Sequence, residues 1–155
     1  MRCLIILFTL VLPLTASSFT VIAHRGLPRL FPEHSLKGLQ EVLKLKVDYV
    51  EPDVVLSRDL VPVILHDLYV DKTTNAASKF SKRKRPNGRL YAGDFTLKEL
   101  KTLSINNRID YKTKKPAFKT RPLIANSQHK IPTLEEFIQT VVDFNKKIKQ
   151  PLEYI

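Results

Sequence analysis

Three short clusters concentrate the side chains suited to acid–base and metal chemistry: His24-Arg25-Gly26, Glu51-Pro52-Asp53 and His66-Asp67. Two imidazoles on opposite sides of a phosphodiester can serve as general base and general acid. Arg25 carries a planar fork that matches phosphate oxygens. Glu51 and Asp53 are two residues apart, the spacing that puts side chains on one face of a strand. Two carboxylates aimed at one point among apolar neighbours need a cation or a proton to neutralise one of them. Hard oxygen donors of this kind suit Mg²⁺ or Ca²⁺. Taken singly, each residue has a plainer reading: a satisfied histidine at a strand end, a surface arginine, or a carboxylate facing water or a lysine.

The elements that must hold these residues are legible from pattern. Residues 19–23 form a short apolar, β-branched run ending at His24, and Gly26 lets the chain turn there. Pro28 and Pro32 keep the following stretch non-helical, and Ser35 is a natural cap for a helix carrying Leu36, Leu39, Val42 and Leu43. Residues 49–56 and 62–65 read as the second and third strands. The five residues between them are too few for a parallel crossover, so a hairpin or a bent ribbon is expected. Pro52 sits awkwardly inside the second strand because it cannot donate to a ladder. Residues 71–93 show no period and read as an excursion. Thr96-Leu97-Lys98-Glu99 and Thr133-Leu134-Glu135-Glu136 are capping boxes. The first opens a helix through Leu103. The second opens the longest helix, to about Lys149, with Leu134, Phe137, Ile138, Val141 and Phe144 on its apolar face. A strand is expected to begin after Pro151. Strands alternating with helices point to an α/β domain with a largely parallel sheet.

Residues 1–18 read differently. Met1-Arg2 is a positive start, residues 3–14 are almost unbroken apolar, and Thr15-Ala16-Ser17-Ser18 follow the break at Pro13. This is the pattern of a signal peptide cleaved near Ser17 or Ser18, so export to the periplasm or the medium is expected. The run falls short of the roughly 20 apolar residues of a membrane span, so no stable membrane insertion is expected after cleavage. Cys3 is the only cysteine, which leaves the mature chain without disulfides. Of the 155 residues, 43% are hydrophobic, enough for a packed core. The net charge is +11, with the run Lys82-Arg83-Lys84-Arg85 at the centre of the excess. That run has neither interleaved aromatics nor a base-reading module, so no nucleic-acid partner is expected. A solvated loop on an exported protein, or a polyanion-binding surface, remain the readings of the charge.

The clusters acquire specificity from their order. Val21-Ile22-Ala23-His24-Arg25-Gly26, Pro32-Glu33-His34-Ser35, Val50-Glu51-Pro52-Asp53-Val54 and Val63-Ile64-Leu65-His66-Asp67 together closely resemble the glycerophosphodiester phosphodiesterase family. The stretch from Asn87 through Gly93-Asp94-Phe95 to Leu97 resembles its exported bacterial branch, which carries an insertion after the His-Asp motif. The resemblance implies a TIM (β/α)8 barrel that hydrolyses glycerophosphodiesters to glycerol 3-phosphate and an alcohol, so a small-molecule partner is expected. It implies a divalent cation, Ca²⁺ in the exported branch and Mg²⁺ in some relatives. By motif, His24 and His66 take the acid–base pair, Arg25 a phosphate contact, and Glu51 and Asp53 two metal-ligand positions.

The family's third ligand is a glutamate in a Pro-Glu-Ile/Leu-Lys setting. Glu153 lies near that place, but Leu152-Glu153-Tyr154-Ile155 does not fit it. A TIM barrel takes about 250 residues. The expectation is therefore an N-terminal half-barrel over residues 19–155, with a basic insertion at about 71–93 after the third strand segment. An uncovered apolar edge and weak or absent turnover follow from it. The alternatives are a non-catalytic remnant and a related barrel phospholipase.

Overall fold

The structure, a computed structural model, describes residues 19–110, 112–121 and 128–148. The expected signal peptide, the strand after Pro151 and Glu153 lie outside those residues.

Strand β1 (Ile22–His24) leads through an extended loop to helix α1 (Leu36–Leu43), and β2 (Tyr49–Glu51) returns parallel to β1. The Ser35 hydroxyl accepts from the Gly38 N–H at 3.1 Å and so starts the helix as expected. Leu39, Val42 and Leu43 form the buried stripe of α1 and pack with Val50 and with Phe137 and Val141 of helix α4 (Leu134–Lys147).

The single strand expected over residues 49–56 is two. Pro52 has no N–H for a ladder, so β2 stops at Glu51 and β3 (Val54–Leu56) starts beyond Asp53. β3 pairs antiparallel with β4 (Pro62–Ile64) in the register Val54↔Ile64, which is the expected hairpin. Among the described residues the strands form two separate two-stranded sheets, one parallel and one antiparallel, instead of the largely parallel sheet expected, and they do not close into a barrel. β1 also begins three residues later than its apolar run, with Phe19, Val21 and Ile22 exposed.

β4 is the hinge between two cores. Val63 and Ile64 are 0% and 1% exposed and, as neighbours on a strand, face opposite sides. Ile64 joins the α1–α4 cluster; Val63 joins a second one built from Leu65, Val70, Leu90, Phe95, Leu100, Leu103 and Ile131.

Residues 71–93, read as an aperiodic excursion, contribute to that second core. They hold the short helix α2 (Ala76–Lys79) and 3-10 turns at Ser81–Arg83 and Ala92–Asp94. Ala76, Leu90 and Ala92 are buried. Lone apolar residues at irregular intervals carry no periodic signal, so only the packed structure reveals them. In the basic run the two arginines are tied to neighbouring groups, while Lys82 and Lys84 are exposed. Arg83 lies 4.1 Å above the Phe95 ring and pairs with Glu99 at 2.7 Å. Arg85 grips both Asp94 oxygens, at 2.8 and 2.7 Å, and stacks on Tyr91. Arg89 grips the buried Asp71 and stacks on Tyr69. Arg83, Arg85 and Arg89 thus fasten this segment through ion pairs and ring stacking.

Helix α3 (Leu97–Lys101) and α4 carry both capping boxes, through Thr96 with Glu99 and Thr133 with Glu136. α3 ends at Lys101, short of the expected Leu103. On α4, Ile138 is 41% exposed, because it flanks the stripe of Phe137 and Val141 instead of joining it. The Ile64 N–H donates to the Pro132 carbonyl at 2.8 Å and ties the start of α4 to β4.

Candidate active site

The parallel pairing of β1 with β2 sets His24 directly beside Glu51. Immediately after His24 the chain reverses through two residues of positive φ, Arg25 at 60° and Gly26 at 81°. A Cβ on Gly26 would stand 3.3 Å from the backbone of Gly38 and Leu39 in α1, so the turn presses the loop against the helix. The Arg25 N–H donates to the Glu51 carbonyl at 3.1 Å, and the Arg25 carbonyl accepts from His34, itself at φ 61°. Non-glycine residues are uncommon there; two at one site mark a backbone held by its surroundings.

Side chains converge on this turn. One ligand atom each from His24, Glu51 and Asp53 lie within 4.8 Å of one another. The Glu51 Oε2 atom is buried and has no hydrogen-bond partner; Nε2 of His24 stands 3.7 Å away. The Arg25 Nε–H donates to Nε2 of His24 at 3.2 Å and lies 3.2 Å from Oδ2 of Asp53. The two carboxylates thus meet as expected, although the strand whose pleat was to align them is broken between them. An unpartnered buried carboxylate oxygen beside a second carboxylate and an imidazole fits a divalent cation. His24, expected as an acid–base group, also stands within ligand reach of that position.

His34 and Glu33, quoted above only as part of a motif, are site residues as well. His34 is 4% exposed, and its Nε2 bonds Oδ2 of Asp53 at 2.9 Å. A carboxylate only accepts, so Nε2 carries the proton and Nδ1 is left bare and unpartnered. Burial pushes the His34 imidazole below its ordinary pKa, against the opposing pull of Asp53. A neutral His34 steers Asp53 without adding charge.

Arg108 is the residue that the sequence did not announce. It comes from the irregular stretch after α3. Its Nε and Nη2 hold both oxygens of Glu33, and its Nη1 bonds Oδ2 of Asp67 at 2.6 Å. Glu33 is 6% exposed. Burial would raise its carboxyl pKa, but the hydrogen bonds and charge of Arg108, with Arg25 at 3.7 Å, hold it below the usual range. Asp67 behaves alike. Burial works to raise it, while Arg108, His66 and Lys72 lower it to about 2. Arg108 is itself pushed above the ordinary arginine range, the two carboxylates outweighing its desolvation.

His66 meets Asp67 through Nδ1 at 2.7 Å. Because Asp67 is ionised, Nδ1 is the protonated nitrogen and Nε2 the free one. A continuous chain of ion pairs therefore runs from His66 through Asp67, Arg108, Glu33 and Arg25 to Asp53. Of the five residues expected at the site, His24, Arg25, Glu51 and Asp53 contact one another directly, whereas His66 reaches them only through Asp67, Arg108 and Glu33.

A model of the glycerophosphoryl diester phosphodiesterase family matches residues 24–155. The chain belongs to that family. A Haemophilus influenzae glycerophosphodiester phosphodiesterase is 34% identical over 128 residues, covering 81% of this chain and 35% of its own length. One from Treponema pallidum is 30% identical, covering 81% and 36%. The chain spans about a third of the length of these curated relatives. Among solved structures, an Oleispira antarctica phosphodiesterase in complex with the product sn-glycerol-3-phosphate is 30% identical with a TM-score of 0.56, covering 87% of this chain and 42% of that one. A glycerophosphodiester phosphodiesterase from Agrobacterium tumefaciens, 24% identical with a TM-score of 0.56, covers 82% and 44% and shares the fold. The family chain described here thus carries part of a TIM-barrel architecture, with mixed helix and strand and no closed barrel among the described residues. No helix among those residues is long and apolar enough to cross a membrane.

Proposed function

We propose that these residues serve metal-dependent hydrolysis of glycerophosphodiesters to glycerol 3-phosphate and an alcohol. The observation that carries this reading is the convergence of His24, Glu51 and Asp53 within 4.8 Å, with one buried Glu51 oxygen left unpartnered. Glu51 and Asp53 would hold the cation, Ca²⁺ by preference or Mg²⁺, since both favour oxygen donors. A cation there would offset the charge that builds on the phosphoryl oxygens.

The remaining work falls to the protein's own groups. Arg25, with Nε toward Asp53 and Nη1 toward Glu33, presents Nη2 to the phosphate. His34 holds Asp53 in place. His66, with Nδ1 tied to Asp67, exchanges its proton through Nε2, and His24 is the second acid–base group. One imidazole takes the proton of the attacking water or glycerol hydroxyl as its oxygen bonds to phosphorus; the other gives a proton to the departing alkoxide as the old P–O bond breaks. Where the glycerol hydroxyl attacks, a water must then open the resulting cyclic phosphate, with the two proton transfers reversed, to give glycerol 3-phosphate. Arginines and lysines around the site draw a phosphate-bearing small molecule toward it.

The test has two arms. Calorimetric binding of Ca²⁺ should be lost on Asp53→Ala and on Glu51→Gln. Release of glycerol 3-phosphate from glycerophosphocholine should require Ca²⁺ and vanish on His66→Ala. Release that survives chelation, or is unchanged in Asp53→Ala, would overturn the reading. Intact phospholipid as the better substrate would favour the barrel phospholipase instead. We further propose that residues 1–18 direct export and that the exported chain begins near Phe19, as N-terminal sequencing of secreted protein would report.

A further inference from the structure

We infer that Arg108 is a positioning residue that couples the two halves of this site, fixing His66 through Asp67 and Arg25 through Glu33. The inference rests on the reading of His66 and Arg25 as reacting-site groups. Its geometry does not. Arg108 lies 75 residues from Glu33 and 41 from Asp67 in sequence, yet its guanidinium spans both. Its own side chain is 13% exposed, and those of Glu33 and Asp67 are 5% and 14% exposed. Nε and Nη2 take Glu33, and Nη1 takes Asp67. A lysine, with one nitrogen, cannot make that set of bonds.

The consequence for His66 is orientational. The two Asp67 oxygens are divided: Oδ2 faces Arg108 at 2.6 Å and Lys72 at 3.4 Å, and Oδ1 faces Nδ1 of His66 at 2.7 Å. With Oδ2 pinned, Oδ1 has one direction, and the imidazole follows it. Arg108 thereby keeps the Nδ1–H tautomer and leaves Nε2 for proton transfer. Against its burial, the Asp67 carboxyl is lowered to about 2 chiefly by Arg108 and is an ionised acceptor at neutral pH. On the other side, Glu33 held by Arg108 gives Arg25 its second anchor besides Asp53.

The test reads the tautomer of His66 by ¹⁵N–¹H correlation of histidine-labelled protein, the signal being identified by its absence in His66→Gln. Wild type should show the Nδ1–H form. Arg108→Lys should lose that preference and, where turnover is measured, lower kcat by about 10- to 100-fold with KM changed far less, the effect of a misplaced reacting group. Arg108→Met leaves the buried Glu33 with only Arg25, at 3.7 Å, as a charge partner, which threatens the fold, so the double variant Glu33→Gln with Arg108→Met removes that charge; it should fold and show the same tautomer loss. Glu33→Gln alone keeps the Arg108–Asp67 bond and should retain the wild-type tautomer. A wild-type His66 in the Nε2–H form, or an unaltered tautomer and kcat in the folded Arg108 variants, would overturn the inference. Glycerol 3-phosphate release from the wild type that does not depend on Ca²⁺ would instead count against the proposed reaction, while the tautomer still reports on Arg108.

Discussion

Replacing Asp67 by asparagine should remove an acid-sensitive share of the stability, and the structure sets its size and sign. The Asp67 carboxyl lies at about 2 in the folded chain against 3.8 ordinarily. A depressed carboxyl means that the unfolded chain takes up the proton first as pH falls. The contribution is therefore fully present above about pH 4, declines below that, and is gone below about pH 2. A gap approaching two pKa units corresponds to about 2.4 kcal/mol at 1.36 kcal/mol per unit. Solvent screening of a half-buried group reduces this to about 1–2 kcal/mol. The assay is urea unfolding followed by circular dichroism and tyrosine emission, the chain having five tyrosines and no tryptophan. Wild type and Asp67→Asn are compared from about pH 6 down to about pH 2. The stability difference between them should shrink by about 1–2 kcal/mol over that range. A difference that stays constant with pH would show that Asp67 is not held by Arg108, His66 and Lys72 as described, and the ion-pair chain through Arg108 would fall with it.

Two further substitutions probe the scaffold. Gly26→Ala forces a Cβ to within 3.3 Å of the α1 backbone at φ 81°, and should cost about 1–3 kcal/mol in urea unfolding and weaken Ca²⁺ binding, since the same turn carries His24 and Arg25. Phe95→Ala empties a site that is 0% exposed between Phe80 and Arg83; a loss of about 3–5 kcal/mol is expected, and a loss under about 1 kcal/mol would mean this core is not packed as found.

Much of the site was readable because its residues are local to strand ends. His24-Arg25-Gly26 and His66-Asp67 follow apolar runs, and the pairing of β1 with β2 then needs only the parallel register to bring His24 to Glu51. Glu33 and His34 were visible as a motif without a role. Nothing local distinguishes a buried charge from an exposed one, and their burial arises from a loop folded back on α1. Arg108 had no signal at all. It sits among polar residues in an aperiodic stretch, and only its partners, distant in sequence, make it more than another of the chain's 26 basic residues.

What the sequence determined by itself was local chemistry and local conformation. The helix caps at Ser35, Thr96 and Thr133 depend on bonds three residues long, and the hairpin of β3 and β4 on a five-residue connection. Tertiary structure decided the rest: that Pro52 splits a strand without separating Glu51 from Asp53, that Arg83, Arg85 and Arg89 stack on aromatic rings, and that one guanidinium ties Glu33 to Asp67. The physical reason is the same in each case. A charge is stabilised in an interior only by partners that reach it through space, and chain order does not record which partners those will be.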